Sequence, residues 1–301
     1  MNITEIKNTL LEEAEVRLFV KREDLNRPFP DNPAVSGNKW RKLKYNLFQA
    51  KKERQDTLLT FGGAYSNHIH AVAAVGKSTN FKTIGLIRGE ETLPLNPTLE
   101  FAKQQGMRIH YLDRQTYRKK HQLNFLEDLK ERFGRFYLLP EGGTNQLALE
   151  GCAEMVDELD FDFDVIACAC GTGGTLAGII KGLKGEKKAL GFPVLKGNFL
   201  QKEIEQLLGT ESFQNWKLEP DYHFGGYARF DETLLKFIEQ FKVNHNILLD
   251  PIYTGKLFFG IFDLVEKQVF TPKTRLLAIH TGGLQGWGGF NKRNKFNELT
   301  N

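Results

Sequence analysis

The sequence predicts an α/β protein: parallel, twisted sheets flanked by helices, folded as two lobes with a ligand cleft between them. Three observations carry this. Strand-sized apolar runs alternate with helix-sized ones along most of the chain, and this βαβα rhythm calls for parallel strands covered by helices on both faces. The 301 residues suffice for two modest lobes, each with its own core. Three glycine-rich segments stand between a strand and a helix, where the crevice of such folds opens.

Taken in order, Arg17–Val20 reads as a strand and Asn38–Glu53 as a helix with a charged outer face. Thr57–Phe61 is a strand, followed by Ser66–Lys77, a small-residue helix that Ser66 can cap. Strand Thr83–Ile87 precedes helix Pro97–Gln105, and strand Arg108–Tyr111 precedes helix His121–Arg132. Short strand Phe136–Leu139 leads to helix Gln146–Leu159, and Val165–Ala169 to helix Gly174–Gly182. Asp231–Gln240 and Gly255–Lys267 read as helices, and Arg275–Ile279 as the last strand. Gly76-Lys77-Ser78-Thr79 mimics the end of a Walker motif, but Ala71 stands where that motif needs its first glycine, so the segment reads as a helix C-terminus.

Composition narrows the function classes. Hydrophobic residues are 41% and charged residues 26%, an ordinary globular balance that argues against disorder and coiled coil. No apolar run reaches membrane-spanning length, and the charged N-terminus lacks a signal-peptide core; both predict a cytoplasmic protein. The net charge, 41 − 37 = +4, requires no nucleic-acid partner, and clusters such as Arg118-Lys119-Lys120 and Lys292-Arg293 read as solvated surface. Cys152, Cys168 and Cys170 form no C-x-x-C and read as small buried hydrophobes. His68, His70 and His280 show no metal-ligand spacing, and no catalytic metal is expected.

The sharpest local feature is Gly171-Thr172-Gly173-Gly174-Thr175, between an apolar strand and a helix. Its glycines allow a tight turn that exposes backbone N–H groups, the helix N-terminus adds partial positive charge, and two threonines add hydroxyls. This is a phosphate cradle. Leu176 stands where a dinucleotide fingerprint needs its third glycine, so a ligand with a single phosphate remains. Phe61-Gly-Gly-Ala-Tyr-Ser-Asn-His-Ile-His70 places Ser66, Asn67 and His68 at another helix N-terminus, suited to a carboxylate. Pro140-Glu-Gly-Gly-Thr-Asn145 is the third polar glycine segment. Lys39, in Ser36-Gly-Asn-Lys-Trp-Arg-Lys-Leu43, lies at a helix start, which disfavours an ammonium and lowers its pKa. Alone it would read as a surface lysine. Beside a phosphate cradle, an amine able to form a Schiff base points to pyridoxal 5'-phosphate (PLP).

These segments make the chain recognisable. It resembles the 1-aminocyclopropane-1-carboxylate deaminase / D-cysteine desulfhydrase family, within the tryptophan-synthase-β-like, fold type II PLP enzymes. The resemblance runs from about Val20 to Gly283 and rests on Val20-Lys-Arg-Glu-Asp-Leu25, Gly37-Asn-Lys-Trp-Arg-Lys-Leu43, Ser66-Asn-His68, Pro140–Asn145, Gly171–Thr175, Asp250-Pro-Ile-Tyr-Thr-Gly-Lys256 and His280-Thr-Gly-Gly283. It implies a two-domain fold, with residues 1–45 and 149–301 as the large PLP-binding domain and 46–148 as the small one. It also implies a homodimer and a small amino-acid substrate.

The roles follow position by position. Lys39 falls on the Schiff-base lysine that also moves the substrate's α-proton, and Gly171, Thr172, Gly173, Gly174 and Thr175 fall on the phosphate loop. Asn67 falls on the residue that hydrogen-bonds the cofactor's phenolic oxygen. Ser66, with Asn67 and His68, falls on the substrate-carboxylate site. Tyr253 and Tyr227 fall on the two active-site tyrosines. Thr254 falls on the residue facing the pyridine nitrogen, where deaminases of the family carry a glutamate; at Thr281 deaminases tend to carry leucine. A threonine supports a weaker electron sink than a carboxylate. That is enough to expel a thiolate, but it suits opening of an unactivated ring poorly. The resemblance therefore implies α,β-elimination on a D-cysteine-like amino acid giving pyruvate, ammonia and sulfide. The alternatives are a 1-aminocyclopropane-1-carboxylate deaminase giving 2-oxobutyrate and ammonia, or a PLP-binding protein without turnover. Three segments depart from the family pattern: Tyr65 before Ser66, the variant loop Pro28–Val35, and Leu284-Gln-Gly-Trp-Gly-Gly289 after the last motif.

Overall fold

The structure, a computed structural model, describes residues 2–287. Gly288, Gly289 and the Lys292-Arg293 pair lie outside the described residues. The chain opens with β1 (Ile3–Ile6), α1 (Thr9–Glu13) and β2 (Arg17–Arg22), then α2 (Gly37–Lys52). Next come β3 (Thr57–Gly63), α3 (Asn67–Thr79), β4 (Lys82–Arg88), α4 (Pro97–Gln104), β5 (Arg108–Leu112), α5 (Arg114–Tyr117), α6 (Leu123–Phe133) and β6 (Tyr137–Leu139). The remainder is α7 (Gln146–Asp157), β7 (Val165–Cys170), α8 (Gly174–Leu183), β8 (Lys188–Pro193), α9 (Phe199–Leu208), β9 (Trp216–Leu218), α10 (Glu232–His245), α11 (Thr254–Glu266) and β10 (Arg275–His280).

Two sheets result. A six-stranded sheet runs β1-β2-β10-β7-β8-β9, and a four-stranded sheet runs β5-β4-β3-β6. The second sheet is parallel throughout. In the first, only the edge pair β1–β2 is antiparallel. The parallel α/β architecture expected from the rhythm is thus present. Every residue of β7 is buried, as is β3 up to its last glycine, which is what helices on both faces impose on central strands. Each fully buried Leu, Ile or Val of these strands contributes roughly 1.5–3 kcal/mol.

Local chemistry sets the boundaries. Asn8, Ser66, Asn96, Asn145 and Asp231 each cap a helix with a side-chain oxygen. The helix expected to stop at Lys77 continues to Thr79 and stops on Asn80, whose φ of 58° is left-handed. The helix expected from His121 begins at Leu123 and has no side-chain cap.

Helix α2 packs against α7 so closely that a Cβ on Gly151 would lie 2.0 Å from the Arg41 carbonyl oxygen. The Val20–Asp24 segment anchors this contact electrostatically. Arg41 on α2 makes two bonds of 3.0 Å to Glu23 and also grips Glu158, while Lys21 lies 3.5 Å from Glu23 and 3.3 Å from Glu158. Glu23, Lys21 and Arg41 are all buried, so each charge depends on its partners.

Candidate active site

The C-terminal ends of β3, β6, β7 and β10 all lead into loops bordering one cavity of about 370 Å³. Its wall includes Lys39, Ser66, Asn67, Thr172, Tyr227 and Tyr253. Gly171, Gly173, Thr175 and His68 line it too. Residues that the sequence scatters over more than two hundred positions therefore share one space. Tyr65, Gln285 and Gly286, from the variant segments, also border it, whereas Trp287 turns into the core and donates its indole N–H to the Leu249 carbonyl at 3.0 Å.

Lys39 is placed by a tight junction at the start of α2. Gly37 has φ 66°, and a Cβ there would lie 2.2 Å from the Thr281 carbonyl oxygen, so the helix begins hard against the end of β10. Asn38 then donates to the Thr175 hydroxyl at 2.9 Å, tying the lysine turn to the glycine loop. The Lys39 pKa falls to about 7. Burial is the main cause and the neighbouring Lys42 ammonium the second. Sequence reading expected the lowering but assigned it to the helix N-terminus.

Lys42 is the residue that sequence reasoning missed. It lies one turn after Lys39 on the same helix face, 2% exposed. Its ammonium donates to the Gly142 carbonyl at 3.2 Å, to Thr144 Oγ1 at 3.0 Å and to Thr172 Oγ1 at 3.5 Å. Among the described residues no carboxylate pairs with it. A buried cation without an anion is costly. This one stands against a loop whose Gly173 has φ 76° at the head of α8, with the Thr172 and Thr175 hydroxyls beside it. Loop, helix terminus and ammonium together fit a phosphate dianion.

On the facing side, Ser66 caps α3 by accepting from the His68 and Ile69 N–H groups at 3.2 and 3.3 Å, which leaves its hydroxyl proton for a ligand. Asn67 stands beside Gly283 at the end of β10, where a Cβ would lie 2.7 Å from its amide nitrogen. His68 behaves differently from its expected role. The Thr60 hydroxyl donates to the Leu139 carbonyl at 2.9 Å, so it must accept from His68 Nε2–H at 2.8 Å. His68 Nδ1 is then a bare, buried acceptor without a partner. Burial first, then Lys39 and Lys42, hold this imidazole far below its ordinary pKa. Its side chain offers a carboxylate no proton.

Tyr227 and Tyr253 meet edge to face, ring centroids 6.2 Å apart. Burial raises both phenols above their ordinary pKa, so both carry their protons at neutral pH. Thr254, in contrast, does not line the cavity. It is fully buried, donates to Asp250 Oδ2 at 2.7 Å and accepts the Asp250 N–H at 2.8 Å. Gly174 begins α8 behind the loop and also lies off the wall. Among the described residues no group of three or more His, Cys, Asp or Glu is placed to hold a metal ion, and no helix is long and apolar enough to cross a membrane.

The family model described as pyridoxal-phosphate dependent enzyme matches residues 4–282. The chain belongs to this family. Within the PLP-dependent enzymes, it is 32% identical over 287 residues to a Pyrococcus furiosus protein provisionally named 1-aminocyclopropane-1-carboxylate deaminase, covering 89% of this chain and 85% of that one. It is 29% identical over 299 residues to the mitochondrial bifunctional D-cysteine desulfhydrase/1-aminocyclopropane-1-carboxylate deaminase of Arabidopsis thaliana, covering 89% and 73%. The crystal structure of a deaminase homologue superposes with a TM-score of 0.82 at 29% identity, over 97% of this chain and 92% of that one. A hydrogen sulfide-producing enzyme of Fusobacterium nucleatum, with a TM-score of 0.67 at 17% identity over 94% of this chain and 95% of that one, shares the fold. The chain is thus a PLP enzyme of fold type II, in the deaminase/desulfhydrase family.

Proposed function

We propose that this PLP enzyme carries out α,β-elimination on a small D-cysteine-like amino acid, which with water gives pyruvate, ammonia and sulfide. The observation that carries the reading is Thr254. Where deaminases place a carboxylate, this chain has a hydroxyl already donated to Asp250. A site without that carboxylate sustains a weaker electron sink, which favours a substrate whose β-substituent departs readily.

The residues divide the work. Thr172, Thr175, the loop N–H groups and Lys42 would hold the phosphate, and Asn67 would donate to the phenolic oxygen. Bound PLP supplies an aldehyde for the substrate's amine and a conjugated ring that withdraws electrons from its α-carbon. Ser66 and the N-terminus of α3 fix the α-carboxylate. The free amine of Lys39, with its lowered pKa, takes the α-proton. Tyr227, protonated on the cavity wall, delivers a proton to the departing sulfur, with Tyr253 beside it. Residues 46–148, which carry the four-stranded sheet, are taken as the smaller lobe, and the other described residues as the larger. A homodimer is carried over from the family resemblance, and a cytoplasmic location from the sequence expectation above.

The test is product release from PLP-loaded protein given D-cysteine or 1-aminocyclopropane-1-carboxylate, with Lys39→Ala as control. Pyruvate from D-cysteine, abolished in Lys39→Ala, is expected. Lysine-dependent 2-oxobutyrate with no pyruvate would overturn the desulfhydrase reading in favour of the deaminase.

A further inference from the structure

The first turn of α11 carries a second buried lysine that the chemistry above does not use. Lys256 is 0% exposed, and among the described residues no carboxylate lies at ion-pair distance from it. Its ammonium instead donates to two main-chain carbonyls, His223 at 2.9 Å and Gly226 at 2.8 Å. Burial draws its pKa down to about 8, against an opposing pull from Asp250.

Both acceptors belong to the loop that delivers Tyr227. Its backbone is unusual: Phe224, Gly225, Gly226 and Ala228 have φ of 52°, 86°, 118° and 55°, and two of these residues are not glycine. The loop folds on two turns, Gly226 N–H to the His223 carbonyl at 2.9 Å and Arg229 N–H to the Gly226 carbonyl at 3.1 Å. The carbonyls that close these turns are the two that Lys256 holds. Tyr227 follows Gly226 directly, and Tyr253, the N-cap residue of α11, precedes Lys256 by three residues. One helical turn therefore carries one active-site tyrosine itself and grips the loop of the other. A buried methionine would fill the space without desolvating a charge, so the ammonium needs a reason beyond packing.

We propose that Lys256 is a positioning residue for Tyr227: by holding the His223 and Gly226 carbonyls it fixes this left-handed loop so that the Tyr227 ring stands edge-on to Tyr253 at the cavity. The loop anchoring is independent of the proposed reaction; the effect on turnover rests on the proton-delivery role given to Tyr227.

The test uses Lys256→Met in the PLP-loaded protein, alone and with Tyr227→Phe; Lys256→Gln, which keeps donors, serves if the methionine variant does not fold. The first readout is hydrogen–deuterium exchange of residues 223–230, expected to quicken about tenfold while α11 and the phosphate loop keep their protection. The second is kcat on whichever of the two substrates is turned over. We expect a fall of about tenfold with KM changed less than about twofold, and little further fall on the Tyr227→Phe background. Unchanged exchange would overturn the anchoring. Full multiplication of the two kcat effects in the double variant would overturn action through Tyr227. Loosening of the loop in a protein that ignores D-cysteine would sink the desulfhydrase reading and leave the anchoring in place.

Discussion

Lys39 and Lys42 stand one helical turn apart and face the same cavity, yet each answers to a different part of it. Among the described residues nothing accepts a hydrogen bond from the Lys39 amine, whereas Lys42 is committed to Gly142 and Thr144. The sequence signal for Lys42 was its spacing of three from Lys39, but a lysine at that spacing is ordinary on a helix, and only burial distinguishes it. Lys42→Met should therefore separate binding from folding. Removing an unpaired buried ammonium should leave the cofactor-free protein as stable or up to about 1–4 kcal/mol more stable. The same change should weaken PLP retention by about tenfold or more, because a charge-assisted contact to the phosphate is lost. Melting curves with and without PLP check both halves; a destabilised cofactor-free protein with unchanged PLP retention would contradict the assignment.

At the scale of elements, α2 is the junction. Its start docks on β10 through Gly37, its inner face presents both lysines, and Arg41 ties it to Glu23 and to Glu158, which follows α7. Burial opposes the Arg41 charge, but its hydrogen bonds to Glu158 and Glu23 outweigh this and raise its pKa further. Arg41→Met should cost about 3 kcal/mol, the low end for breaking a buried pair, because the buried Glu23 loses two bonds and keeps Lys21 at 3.5 Å; Glu158, nearly half exposed, can turn to water. Adding Glu23→Gln should recover part of that loss, and denaturant unfolding of both variants measures it. Other elements escaped the sequence reading for definable reasons. The β8 run Lys-Ala-Leu-Gly-Phe-Pro contains two strand breakers, and β9 is only three residues long. Helix α9 did leave a signal, Leu200, Ile204 and Leu208 on one face, in a stretch where no element was expected.

For the molecule as a whole, the alternation of apolar strands and helices was legible because period and length carry it. The partition of strands between two sheets was not, since β2 and β10 pair across more than two hundred residues and nothing local encodes that register. The glycine loop at 171–175 and Lys39 were legible as residue types at turns, and the structure brings both to one cavity. The hydroxyl of Thr254 turning to Asp250, and the proton on His68 turning to Thr60, depend on partners brought in by folding.

The central claim is that Lys39 is the amine that carries PLP. Cofactor-free protein would be incubated with PLP at a series of pH values, reduced with borohydride, and the labelled peptide located by mass spectrometry. A pKa of about 7, against 10.5 for an ordinary lysine, leaves the Lys39 amine largely unprotonated above neutrality. We predict label on the peptide containing Lys39, rising as pH passes through about 7 and level thereafter, and absent in Lys39→Ala. Label on Lys42 or another lysine instead, or capture that climbs steadily toward about pH 10 as for a solvated amine, would contradict the account.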